Sequence, residues 1–222
     1  MPTANNTTII EKEGWTFRFF SPREKPSRVL LLLHGWTGDE QSMWQFTHKL
    51  PANYVIIAPR APYCAPADKG GYSWREIKPG TWGSPTFAEL NLSADRLISL
   101  IDFGLAATGT DSARVDVVGF SQGGALALTL STLSPERVNK VAVLSGFLPA
   151  GVEELLRPNL LNHLRFFWAH GSEDKIIPIE RGRESIKVLE SAGAKFRFCK
   201  ADGGHRVSKA CRYALSDFLS EP

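Results

Sequence analysis

One segment constrains this chain more than any other. Val115-Asp116-Val117-Val118-Gly119-Phe120 runs directly into Ser121-Gln122-Gly123-Gly124 and on into Ala125-Leu126-Ala127-Leu128. The first run is apolar and rich in β-branched residues, which predicts a buried parallel strand. The Ala/Leu run predicts a helix. Between them the chain must reverse within a few residues. Glycines on both sides of Ser121 let strand and helix pass without Cβ clashes. A Gly-x-Ser-x-Gly turn in this context lifts the serine hydroxyl above the sheet and places a helix N-terminus behind it. Free N–H groups and the helix dipole at that end suit a developing oxyanion. The alternative is a glycine-rich turn that merely contains serine; the strand before it and the helix after it favour the first reading.

The remainder of the chain predicts more βα units. Residues 15–20 partly alternate and read as an early, antiparallel strand. Residues 29–33 and 54–58 read as buried strands, and residues 39–50 as a helix capped by Asp39, with Met43, Trp44 and Phe46 at helix-like spacing. Residues 60–87, rich in Pro, Gly and aromatics, form a long loop of the kind that usually carries function. A helix follows over 88–107. After the Ser121 turn come strands at 141–144, 164–169 and 195–199, and helices at 179–191 and 208–219, the first ended by Gly193. Strands separated by helices imply right-handed crossovers and a mostly parallel sheet covered on both faces. The expectation is a three-layer α/β/α sandwich in one domain over 1–222, with 1–13 a flexible N-terminal segment.

Composition narrows the function classes. The chain has 222 residues, 43% hydrophobic and 22% charged, which is ample for one full core. Its net charge of +3 is spread without a Lys/Arg block, so neither nucleic-acid binding nor membrane insertion is expected. Cys64, Cys199 and Cys211 are odd in number and far apart. That argues for reduced thiols, no disulfide and no zinc site, hence a cytoplasmic protein needing no metal or cofactor. Residues 1–12 lack the apolar core of a signal peptide.

A serine hydroxyl is a weak nucleophile and needs a base, itself oriented by a carboxylate. On an elbow of this kind the partners follow in the order serine, acid, histidine. His205, in Asp202-Gly203-Gly204-His205-Arg206, sits between the last strand and the last helix. His34 and His170 directly precede glycines and read as packing residues. His48 lies mid-helix, and His163 lies on the wrong side of the sheet. For the acid, Asp174 follows the 164–169 strand; Glu173 is its neighbouring alternative, and Asp202, close to His205 in sequence, ranks behind them. The oxyanion hole needs two N–H groups. Gln122 supplies one, and Trp36, in His34-Gly35-Trp36-Thr37-Gly38, is the choice for the second. Tyr63, Tyr72, Trp74, Trp82 and Phe87, from the long loop and its end, are candidates for the pocket wall beside Trp36.

Taken together, these residues resemble the α/β-hydrolase superfamily, and within it the carboxylesterase/phospholipase family of bacterial carboxylesterases and acyl-protein thioesterases. The matching pieces are Leu33-His34-Gly35, Pro59-Arg60-Ala61-Pro62, Gly71-Tyr72-Ser73-Trp74, Gly119-Phe120-Ser121-Gln122-Gly123-Gly124, His170-Gly171 with Asp174 and Pro178, and Gly203-Gly204-His205. They run in family order over nearly all of the chain. The resemblance implies an α/β-hydrolase fold without a separate lid domain, and Ser121, Asp174 and His205 as the triad. It also implies hydrolysis of an ester or thioester; a small-molecule substrate and a monomer or homodimer are expected. The chain departs where thioesterase members usually carry a Leu-Gly-Asp turn after His-Gly; here the residues are Trp36-Thr37-Gly38-Asp39. A bulky Trp36 at that point leads to the expectation of a serine carboxylesterase favouring short to medium acyl esters. An acyl-protein thioesterase or lysophospholipase is the alternative, with a non-catalytic binding module behind both.

Overall fold

The computed structural model describes residues 6–23, 26–47, 50–78, 84–109 and 113–222. Ten strands and four α-helices follow one another among these residues. They are β1 (Thr8–Lys12), β2 (Trp15–Phe20), β3 (Arg28–Leu33), β4 (Tyr54–Pro59), β5 (Tyr63–Cys64), β6 (Tyr72–Ser73), α1 (Phe87–Thr108), β7 (Val115–Phe120), α2 (Gln122–Leu133), β8 (Val138–Leu144), β9 (Arg165–Gly171), α3 (Ile179–Ser191), β10 (Lys195–Ala201) and α4 (Lys209–Ser220). Eight of the strands form one sheet in the order β1-β2-β4-β3-β7-β8-β9-β10. From β4 to β10 neighbouring strands are parallel, whereas β1 and β2 are antiparallel additions at one edge. The small pair β5-β6 lies within the long loop.

The period-two geometry of strands divides the core between the two sheet faces. Leu31, Leu33, Val117, Val141, Val143 and Trp168 face one side, against Leu97 and Ile101 of α1 and the Ala/Leu face of α2. Leu30, Leu32, Val118, Ala142, Leu144 and Phe167 face the other, against Leu215 and Phe218 of α4 and against Met43 and Trp44. Helix α1 starts at a capping box, in which Thr86 accepts from the Glu89 amide and Glu89 accepts from the Thr86 amide. The result is a three-layer α/β/α sandwich. No helix among the described residues is long and apolar enough to cross a membrane.

Three expectations need correction. Residues 8–12 are not a flexible leader. They pair with β2 from Thr8 opposite Phe19 to Lys12 opposite Trp15, through a turn at Glu13 and Gly14 that both take positive φ. The strand is an exposed edge, so its sequence carries little burial signal. Residues 39–50 do not form an α-helix. The described part is a set of turns around a short 3₁₀ segment, Trp44–Phe46. Local side-chain bonds compete for that backbone: Asp39 Oδ1 accepts from the Gln41 and Ser42 amides, and the Thr47 hydroxyl donates to the Trp44 carbonyl. Finally, Cys199 and Cys211 form a disulfide across a Cα separation of 5.8 Å. Cys199 lies in β10 and Cys211 in the first turn of α4, so the reversal between these elements brings together two residues that look remote in sequence. Cys64 remains free and exposed.

Candidate active site

The loops beyond the carboxyl ends of β3, β7, β9 and β10 converge on one spot, the usual place for function in an open parallel sheet. Ser121 follows β7 with φ 53° and ψ −116°, a conformation that costs a non-glycine residue about 1–3 kcal/mol. The surroundings hold it there. Its amide donates to the Leu144 carbonyl at 2.8 Å, and its carbonyl accepts from the Ala125 amide. The flanking glycines are required sterically: a Cβ on Gly119 would overlap the Gly123 carbonyl, and one on Gly123 would overlap the carbonyl of Leu33.

The structure brings Ser121, His205 and Asp174 into one relay. His205 Nε2 lies 2.9 Å from Ser121 Oγ, and His205 Nδ1 lies 2.7 Å from Asp174 Oδ2. A carboxylate oxygen only accepts, so Nδ1 carries the proton and Nε2 is left to accept from the serine hydroxyl. Asp174 is buried, and its Oδ1 accepts from the Ile176 and Ile177 amides, each at 2.9 Å. These bonds fix the carboxylate before it meets the imidazole. The β9 and β10 loops are stitched together by Ser172 N–H to Ala201 O and by Glu173 N–H to Gly203 O. Glu173 is exposed and Asp202 accepts from the Ser172 hydroxyl, so neither replaces Asp174 at His205. Phe120 supports the imidazole from one side, with ring centroids 5.0 Å apart.

The other histidines take different places. His34 is fully buried; its Nδ1 donates to Gly35 O at 2.7 Å and its Nε2 accepts from the Ala61 amide at 3.0 Å. Burial pushes its pKa down to about 4, so it stays neutral and anchors the 34–38 loop. His170 is buried below Asp174, donating from Nε2 to Ile177 O at 2.8 Å and accepting at Nδ1 from Trp168 Nε1 at 3.2 Å. Burial lowers its pKa as well. His163 contacts the Pro135 carbonyl at an exposed position, and His48 lies outside the described residues.

Of the two amides expected at an oxyanion hole, Gln122 N–H opens α2 and has no acceptor in the helix. Trp36 N–H makes no backbone bond among the described residues, whereas its neighbours Thr37 and Gly38 donate to Tyr72 O and Gly35 O. The Gln122 side chain is engaged elsewhere: Oε1 accepts from the Trp74 amide at 3.0 Å and ties the long loop to the elbow.

A cavity of about 330 Å³ opens on Ser121 and Gln122, walled by Trp36, Ile77, Pro85, Phe147, Ile176 and Ile177, with the buried Arg75 also in its lining. A second, of about 360 Å³, lies on the far side of Trp36 and is lined by His205, Phe120, Ser42, Gln45, Arg206 and Arg212. Trp36 thus stands between the two, 38% exposed. The other aromatic candidates divide differently. Trp74 is wholly buried and donates from Nε1 to His34 O, so it is a core residue rather than a pocket wall. Tyr72 packs under the Arg60 guanidinium and Phe87 opens α1, both away from the two cavities. Tyr63 sits in the small β5-β6 pair, and Trp82 lies outside the described residues. Ile77, Phe147, Ile176 and Ile177 carry no polar pattern, so sequence reasoning had no signal for them. Among the described residues no cluster of His, Cys, Asp or Glu could hold a metal ion.

Comparison with known proteins gives the family and the fold. The Phospholipase/Carboxylesterase family model matches residues 16–221. The chain is 30% identical over 200 residues to carboxylesterase SOBER1 of Arabidopsis thaliana, covering 84% of this chain and 87% of that one. It is 31% identical over 186 residues to acyl-protein thioesterase 1 of Mycosarcoma maydis, covering 75% and 77% respectively. Three further plant relatives are matched over 48%, 57% and 58% of their own lengths. Among solved structures, a carboxylesterase from Mesorhizobium loti superposes with a TM-score of 0.80 at 17% identity, over 98% of this chain and 100% of that one. The fold is that of the α/β hydrolases. The chain belongs to the phospholipase/carboxylesterase family within them.

Proposed function

We propose that this protein is a serine carboxylesterase that works through an acyl-enzyme and favours short to medium acyl groups. The observation that carries the reading is the unbroken hydrogen-bonded line Asp174–His205–Ser121 ending at the mouth of an apolar cavity. His205 takes the hydroxyl proton as Ser121 Oγ attacks the ester carbonyl. The amides of Gln122 and Trp36 stabilise the tetrahedral anion, each worth about 3 kcal/mol in comparable sites. His205 then hands the proton to the departing alcohol, and water repeats the sequence on the acyl-enzyme. Asp174 keeps the imidazole in the working tautomer and stabilises the imidazolium that forms.

Acyl length follows from Trp36 and from the cavity beside it. That cavity lies at the small end of the range of about 300–1,000 Å³ found for ligand sites. A thioesterase would use the same three residues, and the resemblance to the Mycosarcoma maydis thioesterase keeps that second reading in play. A non-catalytic module has no need of a carboxylate pre-bonded by two amides and aimed at a histidine. Hydrolysis of p-nitrophenyl butanoate by the wild type, lost in Ser121→Ala, tests the reading; a Ser121→Ala protein of full activity overturns it.

A further inference from the structure

Building on that reading, we infer that the leaving alcohol of the natural substrate carries an anionic group, a carboxylate or a phosphate, held by Arg212 and Arg206. The two cavities on either side of Trp36 are chemically unlike, and His205 decides which part of an ester enters each. The departing oxygen must receive its proton from His205 Nε2. The alcohol therefore leaves on the side that His205 lines, which is the second cavity. The acyl group takes the other, where Ser121 and Gln122 meet isoleucine and phenylalanine side chains.

The charges follow the same division. The arginine of the acyl side, Arg75, is buried and ion-paired with Glu89 at 2.5 Å, so it presents little net charge. Arg206 and Arg212 belong to no ion pair among the described residues. Arg212 is held in place without being neutralised. Its Nε donates to Val207 O at 3.3 Å, Nη2 donates to Gln45 Oε1 at 3.1 Å, and the guanidinium lies 5.4 Å from the Phe46 ring centroid. A guanidinium has five N–H groups, so three of these remain for a ligand. Among the described residues no carboxylate comes within ion-pairing distance of either guanidinium. Asp39 Oδ1 accepts from the Gln41 and Ser42 amides and from the Ser42 hydroxyl, and Asp202 accepts from Ser172. The Ser42 hydroxyl and the Gln45 amide add neutral polar groups to the same wall. Two unpaired cations in a cavity that must hold the alcohol select an oxyanion, and Arg is the side chain best shaped to grip one. In the overall reaction water cleaves the acyl C–O bond; an apolar acid and an anionic alcohol leave, the alcohol carrying the proton delivered by His205.

The experiment uses butanoate esters of three phenols matched in reactivity: 4-hydroxyphenylacetate, its neutral amide, and (4-hydroxyphenyl)methylphosphonate. For the wild type, kcat/KM for at least one anionic ester exceeds that of the amide by about tenfold at low salt, the scale of one charge-assisted contact. The more favoured anion tells carboxylate from phosphate. The ratio shrinks as salt is raised from about 0.05 M to about 0.5 M, because exposed charges are screened. It falls towards one in Arg212→Gln and further in Arg206→Gln/Arg212→Gln. An amide ester cleaved as fast as both anionic esters overturns the inference and leaves the esterase reading standing. No cleavage of any of the three overturns the esterase reading itself.

Discussion

Cys199 and Cys211 bracket His205: the bond between their sulfurs closes the segment that carries the histidine, with residue 205 equidistant in sequence from both. His205 is thereby tethered to β10 on one side and to α4 on the other. A cross-link over a loop of this size stabilises the fold by about 3 kcal/mol in the chain-entropy account. Reduction by dithiothreitol, or Cys199→Ser/Cys211→Ser, therefore lowers Tm by several degrees and reduces activity at elevated temperature first. Thermal melts with and without reductant check this; superimposable melts with full activity contradict it.

Asp174→Asn costs far more activity than Glu173→Gln. Loss of the carboxylate lets the imidazole adopt the wrong tautomer, an effect of about 10⁴ in a comparable triad. Glu173 points its side chain to solvent and touches the site only through its backbone. Steady-state rates of the two variants, with circular dichroism to confirm folding, decide the matter. Glu173→Gln as the crippling change would move the acid by one position.

Stability falls on mild acidification. His34 has its pKa pushed from 6.5 to about 4 by burial. Between these values the unfolded chain takes up a proton that the folded chain refuses, so stability is complete above pH 6.5 and is lost as pH drops towards 4. The loss from this residue is about 3 kcal/mol. His170, also lowered by burial, adds in the same direction. Urea midpoints at pH 7, 5.5 and 4 should drop steadily for the wild type and less for His34→Gln. An acid slope unchanged in His34→Gln contradicts this.

The elbow and the placement of His205 beside Ser121 were legible because their signals are local. Gly119, Ser121 and Gly123 announce a strand-to-helix reversal, and His205 lies between a strand and a helix that both read clearly. Asp174 needed the family resemblance, since nothing in Glu173-Asp174 says which carboxylate turns inward; the Ile176 and Ile177 amides decide that. The helix expected over 39–50 failed because Met43, Trp44 and Phe46 fit one 3₁₀ turn as well as an α-helical face. The disulfide was hidden because cysteine counting ignores the chain reversal that pairs β10 with α4. Trp74 was misplaced for a different reason: an aromatic in a long loop has equal use for a pocket and for a core, and its Nε1 bond to His34 O belongs to the core.

Trp36→Leu shifts acyl preference towards longer chains. The indole stands between the cavity on Ser121 and the cavity lined by His205, and on the proposed reading a long chain pushes it aside at a cost of roughly 1–3 kcal/mol. The ratio of kcat/KM for butanoate over hexadecanoate esters should fall by about tenfold or more in the variant. A wild type already faster on hexadecanoate favours the thioesterase or lysophospholipase reading.

The most direct test of the account is to find the residue that becomes covalently attached. The protein is treated with an active-serine fluorophosphonate, digested and mapped by mass spectrometry. The account predicts one adduct, on Ser121, with stoichiometric loss of esterase activity, and no labelling of Ser121→Ala. An adduct on another residue, or full inactivation of the wild type with Ser121 unmodified, contradicts it.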